Sequence, residues 1–152
     1  MYVNFNQRLE SFHDVSEWGW PDQGLELYRR FVPEIADSQQ EAMSYALNMT
    51  RMTFGTQEEL DTSIFRQSIQ VYLQHIHGLR DESFSYRHVN QMLTVAMKSF
   101  IKSQACKPQA ITADDYASMS GMFSEGEKLH VSVIVMETKK QIELTFLSKV
   151  VN

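Results

Sequence analysis

The sequence has a single cysteine, few glycines and prolines, and no long apolar run. One cysteine among 152 residues excludes an internal disulfide and fits a reducing compartment. Six glycines and three prolines allow few tight turns, which favours helices over a fold of many strands. No apolar segment approaches the roughly 20 residues that cross a bilayer. We therefore expect a cytoplasmic protein with a mainly helical fold and no membrane contact.

An excess of basic residues is also absent. The 14 Lys and Arg residues are outnumbered by 19 Asp and Glu residues, which gives a formal net charge of -5. This balance argues against nucleic acid or an anionic membrane as a partner. The N-terminus lacks the basic start and long apolar core of a secretory signal. With 43% hydrophobic residues, the composition is that of one soluble globular domain.

Apolar periodicity predicts an all-α fold, a single compact bundle of about six helices. Residues 1–20 are expected to form an irregular lead-in, and residues 21–152 the helical domain. Residues 130–135 are rich in β-branched side chains, but a lone strand would have no partner, so helix is predicted there too. Four helices are expected over residues 21–32, 38–54, 85–106 and 124–150. Another helix is expected to begin between residues 56 and 63 and to end at residue 78. A short helix is expected after Thr112.

Two charged residues, Arg66 and Glu127, lie in apolar helical stripes. Arg66 precedes apolar residues by 3, 7 and 10 positions, and Glu127 precedes them by 4, 7 and 8 positions. Because a buried charge is costly unless it is paired, the two either pair with each other, extend to the surface, or bind a ligand. A free amino acid fits the third alternative, since a guanidinium holds a carboxylate by two parallel bonds and a carboxylate holds an ammonium.

Other candidate sites have simpler interpretations. Glu127 is the last residue of a Ser124-x-x-Glu127 pattern and would cap a helix. Glu127 and His130 lie one helical turn apart, but a metal site would need a third ligand, so no metal or other cofactor is predicted. Cys106 has no CxxC partner and no evident base nearby, which favours an inert, packed thiol. With no Gly-rich phosphate loop and no Gly-x-Ser-x-Gly motif, the sequence predicts a non-enzymatic protein.

Three stretches resemble the C-terminal domain of the sestrins. Residues 61–66 (DTSIFR) are similar to the family's Asp-Thr-Ser-aliphatic-Leu-Arg. Residues 89–93 (VNQML) and 101–108 (IKSQACKP) resemble Val-Asn-Gln-Leu-Leu and Tyr-Ile-Lys-Thr-Val-Ala-Cys-Tyr-Pro. Residues 127–131 (EKLHV) are similar to Glu-Lys-Val-His-Val. The stretches follow one another in the family's order and near its spacing, and the resemblance extends roughly over residues 15–150.

The resemblance implies a helical domain similar to the alkylhydroperoxidase fold, with a role in nutrient and stress signalling. It implies binding of a free amino acid, leucine or a similar one, and docking on a GATOR-type complex upstream of the mTOR kinase complex. The family's carboxylate-binding arginine falls on Arg66 and its ammonium-binding glutamate on Glu127. The remaining ligand-binding positions fall on Thr62, Thr50, Phe123, His130 and Phe65, and the partner-binding loop falls on Glu82, Ser83 and Tyr86.

This sequence departs from the family at two pocket positions. A pocket threonine falls on Leu47, and the tryptophan floor of the pocket falls on Ser120. Each change would weaken ligand binding by about 1–3 kcal/mol. The partner-binding loop is also less acidic than in the family. The family's N-terminal half, which carries the cysteine associated with peroxide reduction, is not matched, so redox catalysis is not expected.

Three hypotheses follow from these residues. The first is an amino-acid-sensing regulatory domain in which residues 55–62 form a lid over the ligand. The second is a structural interaction module with an empty pocket and a permanent ion pair between Arg66 and Glu127. The third is a small antioxidant enzyme that uses Cys106.

Overall fold

The computed structural model describes residues 18–49, 53–54, 57–79, 83–119, 121 and 123–151. Within these ranges the chain forms seven α-helices, which confirms the all-α class. One π-helical turn (Trp20–Gly24) leads into the first helix. The α-helices are α1 (Leu25–Phe31), α2 (Pro33–Asn48), α3 (Ser63–Ile76), α4 (Tyr86–Met92), α5 (Val95–Cys106), α6 (Ala113–Ala117) and α7 (Glu125–Val151), with a 3-10 turn at Pro108–Ala110. Most of the predicted lead-in, residues 1–17, lies outside the described residues.

A short antiparallel pair of strands lies between α2 and α3. Strand β1 (Thr53–Phe54) pairs with β2 (Gln57–Glu58), two residues each. After β2, Glu59 takes a left-handed backbone conformation, with φ of 57°. The described part of the predicted lid therefore contains one short strand and one residue with a left-handed backbone.

Helix α2 begins five residues earlier than predicted. Pro33 was expected to end the preceding helix, but it occupies the first turn of α2. N–H groups in the first turn have no intrahelical acceptor, so the N–H that proline lacks removes no helical hydrogen bond there. The break falls instead on Val32, whose φ of -144° lies outside the helical region and whose carbonyl accepts from the N–H groups of Ile35 and Ala36.

Helix α2 also ends before the predicted Phe54, because its last carbonyls find partners on other helices. Asn48 is its last residue, and Met49 is already extended with ψ of 100°. The carbonyl oxygen of Ala46 lies 2.7 Å from His130 Nε2, and that of Leu47 accepts from Arg66. These long-range contacts terminate the helix, and no local sequence signal predicts them.

The predicted helix 85–106 is divided into α4 and α5. Leu93 is extended, and Thr94 caps α5 by accepting from the backbone N–H of Met97 at 3.3 Å. Threonine is a good N-cap residue, because its hydroxyl binds an N–H that has no intrahelical acceptor. Helical periodicity continues across the break, which is why the sequence pattern concealed it.

The other helix boundaries follow capping signals that are visible in the sequence. Thr112 forms the expected capping box with Asp115 at the start of α6. Ser124 forms the expected box with Glu127 at the start of α7. Helix α3, predicted to begin between residues 56 and 63, begins at Ser63, whose N–H donates to Asp61 Oδ1 at 2.9 Å.

The core lies where α3, α5 and α7 pack together. Its fully buried members include Ile69 and Leu73 on α3, Ile101 on α5, and Ile134 on α7. A smaller apolar cluster around Trp20, with Leu25 and Ala36, anchors α1 and the start of α2. None of the helices in the described ranges is both long and apolar enough to cross a membrane.

Helix α7 confirms that the β-branched stretch at residues 130–135 is helical. Four polar residues on its C-terminal half are buried: Thr138, Gln141, Thr145 and Ser148. Ser148 accepts a hydrogen bond at 2.9 Å from the indole Nε1 of Trp18. Polar contacts thus attach the N-terminal segment to α7.

Candidate functional site

Arg66 lies in the first turn of α3 and is buried, as its apolar stripe predicted, with 6% of its surface exposed. Its Nε donates to the carbonyl oxygen of Leu47, and its Nη1 donates to the hydroxyl of Thr62. Both acceptors are uncharged, and none of the ion pairs formed among the described residues includes Arg66. The permanent ion pair with Glu127 that the second hypothesis required is therefore not formed.

His130, one turn into α7, reaches the same helix end as Arg66. Its Nε2 lies 2.7 Å from the carbonyl oxygen of Ala46, so this nitrogen carries the proton that is donated. Ala46 and Leu47 are consecutive residues in the last turn of α2, where carbonyl oxygens have no intrahelical donor. The negative end of the helix dipole also favours a cation such as Arg66. Two helices thus supply side chains that close the end of a third.

Glu127 is buried as predicted, with 6% exposed, and it caps α7. Its Oε2 accepts from the backbone N–H of Ser124 at 2.8 Å, and its own N–H donates to the Ser124 hydroxyl at 3.3 Å. The first turn of a helix favours a carboxylate, because the N–H groups there carry partial positive charge. The structural interpretation of Glu127 is thereby confirmed, and its proposed contact with a ligand stays a prediction.

An aromatic contact connects the Arg66 side of the site to the Glu127 side. Phe65 and Phe123 have ring centroids 5.6 Å apart, and both side chains are buried. Phe65 precedes Arg66 in the chain, and Phe123 precedes the Ser124 cap. Among the described residues, the predicted ligand-binding side chains are thus joined by separate contacts: Arg66 with Thr62, Phe65 with Phe123, and Arg66 and His130 through consecutive carbonyls of α2.

The charge of Arg66 also acts on the start of α3. The pKa of Asp61 is lowered, chiefly by the backbone and side-chain hydrogen bonds from Ser63 and to a lesser degree by the Arg66 charge. This fully exposed carboxylate is therefore held in its ionised form at the edge of the site.

Comparison with known proteins gives the family. The sequence profile described as PA26 p53-induced protein (sestrin) matches residues 1–152. The chain belongs to the sestrin family. A sestrin homolog of Drosophila melanogaster is 34% identical over 149 residues, 96% of this chain and 30% of the relative. A Dictyostelium discoideum homolog is 30% identical over 141 residues, covering 93% and 24%. Human Sestrin-2 is 30% identical over 132 residues, covering 87% and 28%, so the chain spans less than a third of these sestrins.

The remaining positions carried over from the sestrins are placed only in part. Thr50, Ser120 and Glu82 lie outside the described residues. Ser83 is exposed in a turn, whereas Tyr86 is the first residue of α4 and is half-buried. Its ring stacks on His75 with centroids 4.4 Å apart, and burial raises its pKa. Of the predicted partner loop, the described part is therefore one exposed serine and one packed tyrosine.

Sequence reasoning missed a buried lysine beside Glu127. Lys128 is 2% exposed, and its Nζ lies 2.7 Å from Glu125 Oε1 and 4.6 Å from the centroid of the Tyr116 ring. Tyr116 donates to Glu125 Oε2 at 2.8 Å, and the pKa of Glu125 is lowered by the bonds from Lys128 and then Tyr116. These contacts fasten α6 to the start of α7. The only sequence signal was a lysine next to the stripe that contains Glu127.

The expectation that Cys106 is packed and far from any base is wrong. The thiol is exposed at the end of α5, and its Sγ lies 4.0 Å from His77 Nε2. The imidazole comes from α3, 29 residues earlier, so no local motif reveals it. His75, two residues before His77 on the same helix, stacks instead on Tyr86. Among the described residues, no group of three or more metal-binding side chains is present.

Proposed function

We propose that this sestrin-family domain is a non-enzymatic regulatory domain that binds a free amino acid, leucine or a close relative. The observation that carries the proposal is Arg66, a buried cation held by the Leu47 carbonyl and the Thr62 hydroxyl. Neutral oxygens compensate a buried charge less well than a carboxylate does. A ligand carboxylate therefore gains a charge-assisted, two-pronged contact that Thr62 alone does not supply.

The remaining contacts would come from the surroundings of Arg66. In this proposal the ligand ammonium binds Glu127, and its apolar side chain packs on Phe65 and Phe123. His130 holds the end of α2 in place, and so fixes the carbonyl to which Arg66 is anchored. The ligand would need both charged groups, which limits it to free amino acids and excludes internal residues of a peptide.

Ligand binding would change the state of the segment before α3. Arg66 donates to the Thr62 hydroxyl, and a ligand carboxylate would either replace this hydroxyl or bind beside it. Residues 55–62 contain one two-residue strand and a non-glycine residue with positive φ, Glu59, which costs roughly 1–3 kcal/mol. Leaving this strained backbone conformation would offset part of the cost of a second arrangement. We propose that closure of this lid alters the surface presented to a GATOR-type complex in the mTOR pathway.

The alternative, an interaction module without a ligand, is favoured by one observation. Arg66 and Glu127 already have structural roles, one at the end of α2 and one at the start of α7. The substitution of a pocket threonine by Leu47 removes a hydroxyl that would help to bind a carboxylate. Under this alternative, the two charges are retained for helix capping alone.

A thermal-shift titration distinguishes the two proposals. A ligand that binds only the folded state adds about 2.7 kcal/mol of stability at a hundredfold excess over its Kd. Leucine should raise the Tm, whereas leucinamide and N-acetyl-leucine should not, because each lacks one charged group. If no amino acid raises the Tm at millimolar concentration, the sensor proposal is wrong and the interaction module stands.

A lysine substitution tests whether Arg66 contacts the carboxylate. Arg66→Lys keeps a positive charge near the end of α2 but loses the planar fork that binds a carboxylate with two parallel bonds. The leucine-induced shift should shrink while the chain remains folded. Arg29→Lys is the matched control, since Arg29 is exposed and pairs with Asp37 at 3.0 Å on α2. An equal loss of response in both variants would contradict the assignment.

Docking on the partner complex is tested at the one exposed residue of the described loop. Ser83→Arg should weaken binding to a purified GATOR-type complex, because Ser83 lies in an exposed turn, and its Tm is measured alongside. Tyr86→Ala is less informative, since it also removes the ring contact with His75. Unchanged affinity in Ser83→Arg would place the partner surface elsewhere.

A further inference from the structure

Three helices bring a thiol, an imidazole and an ammonium together at a position remote from Arg66. Cys106 is the last residue of α5, His77 follows the last residue of α3, and Lys139 lies in the middle of α7. His77 Nε2 is 4.0 Å from Cys106 Sγ and 3.1 Å from Lys139 Nζ. Arg66 is at the opposite end of α3, so this cluster is separate from the proposed amino-acid site.

The hydrogen bonds of His77 determine which of its nitrogens faces the thiol. Nδ1 lies 2.7 Å from the carbonyl oxygen of Leu73, which can only accept, so Nδ1 carries a proton. In the neutral ring Nε2 is then the unprotonated nitrogen, which agrees with its contact to the Lys139 ammonium, a donor only. This nitrogen has one lone pair, so it can take the thiol proton when the Lys139 ammonium moves from it towards Glu143, the other partner of Lys139 at 3.5 Å.

We propose that Cys106 is a thiol-modification site that reacts with low-molecular-weight disulfides, with His77 as its base and Lys139 as a positioning residue. His77 Nε2 takes the proton of the Cys106 thiol, and the thiolate attacks one sulfur of the disulfide. A new S–S bond forms to Cys106 as the original S–S bond breaks, and the leaving thiolate takes up a proton. The product is a mixed disulfide, and no further oxidant or reductant is consumed.

The surroundings of the cluster suit this chemistry. Thiolates form in partly exposed positions near positive groups, and Cys106 is exposed while Lys139 donates to its neighbouring imidazole. Lys139 also pairs with Glu143 at 3.5 Å, so its charge is shared along α7. On α3, Tyr72 faces the same region, and its pKa is raised chiefly by burial, with smaller contributions from Tyr86 and Cys106. Tyr72 thus stays neutral at pH 7, and its phenol adds no negative charge.

The test measures how fast the intact chain reacts with oxidised glutathione. Because Cys106 is the single cysteine of the sequence, mass spectrometry of the whole chain reports this one site. At pH 7 the folded chain should react at least about tenfold faster than the urea-unfolded chain. This factor is smaller than the hundredfold or more that a closely bonded general base provides, because the contact between Cys106 Sγ and His77 Nε2 is long, at 4.0 Å. A folded chain that reacts no faster than the unfolded one overturns the proposal, whatever the variants show.

Variants assign the roles within the cluster. His77→Gln should lose most of the rate advantage, whereas His75→Gln, a matched change on the same helix that stacks on Tyr86, should keep it. Equal rates in His77→Gln and the unsubstituted chain would overturn the assignment of the base. Lys139→Met should change the rate at pH 7 while Lys140→Met, a matched change at the next residue of α7, should not, because only Lys139 contacts the imidazole of His77. An unchanged rate in Lys139→Met would overturn the role of Lys139.

Discussion

Two substitutions at the start of α7 should separate the capping role of Glu127 from its proposed role in ligand binding. Ser124→Ala removes the hydroxyl that accepts from the Glu127 N–H but leaves the carboxylate in place. In the unsubstituted chain Glu127 Oε2 accepts from the Ser124 N–H at 2.8 Å. Glu127→Gln keeps an oxygen that can accept this hydrogen bond but removes the negative charge. Both changes affect the same capping box, so their effects on folding should be similar.

The expected loss of stability follows from the geometry of the cap. Loss of an N-cap side chain costs about 1 kcal/mol, and the 3.3 Å bond to Ser124 Oγ is long, so Ser124→Ala should not exceed that value. Glu127→Gln weakens a charge-assisted bond and its interaction with the helix dipole, again by about 1 kcal/mol. For a chain of this length, either change should lower the Tm by roughly 2–4 °C.

The response to ligand should differ where stability does not. Ser124→Ala retains the carboxylate, so leucine should raise its Tm by as much as in the unsubstituted chain. Glu127→Gln loses a hydrogen bond to a charged group, about 1.5–3 kcal/mol, which weakens binding roughly tenfold to hundredfold. Calorimetric titration and thermal shift would measure both. Equal leucine responses in the two variants would refute the ammonium contact, and an unchanged Tm in Ser124→Ala would refute the capping argument.

Further predictions concern helix ends and acid stability. Thr94→Ala should cost about 1 kcal/mol in urea unfolding by removing the α5 cap, and a neutral result would mean that the α4–α5 break does not depend on that hydroxyl. Gly78→Ala should cost about 1–2 kcal/mol because Gly78 has φ of 85°, and unchanged stability would contradict that geometry. The pKa values of Asp61, Asp115 and Glu125 are lowered in the folded chain, so their stabilisation is present above their unfolded values and is lost as the pH falls below about 4. The Tm should therefore fall over that range, and less steeply in Asp115→Asn, while a Tm independent of pH there would refute the linkage.

Burial was predictable from the sequence where a local period determined it. Arg66 and Glu127 were expected in apolar stripes of single helices, and both are buried. The capping boxes at Thr112 and Ser124 were predictable for the same reason, because every atom involved lies within four residues.

Features that depend on distant residues were not predictable in this way. Helix α2 ends where Arg66 and His130 bind its carbonyls, 19 and 84 residues away in the chain. The thiol of Cys106 meets His77 only because α3 and α5 pack side by side. Pro33 was ambiguous for another reason, since the same ring can end one helix or begin the next.

The anchoring of Arg66 to a main-chain oxygen has a consequence for how this site can evolve. Leu47 falls where the resemblance to the sestrins implies a pocket threonine, yet the atom it offers to Arg66 is a carbonyl that every residue has. The same holds for Ala46 and His130. Side chains at positions 46 and 47 can therefore drift without detaching either anchor, provided that the backbone keeps its course. Selection on the side chain at position 47 is thereby separated from selection on the framework that holds the arginine.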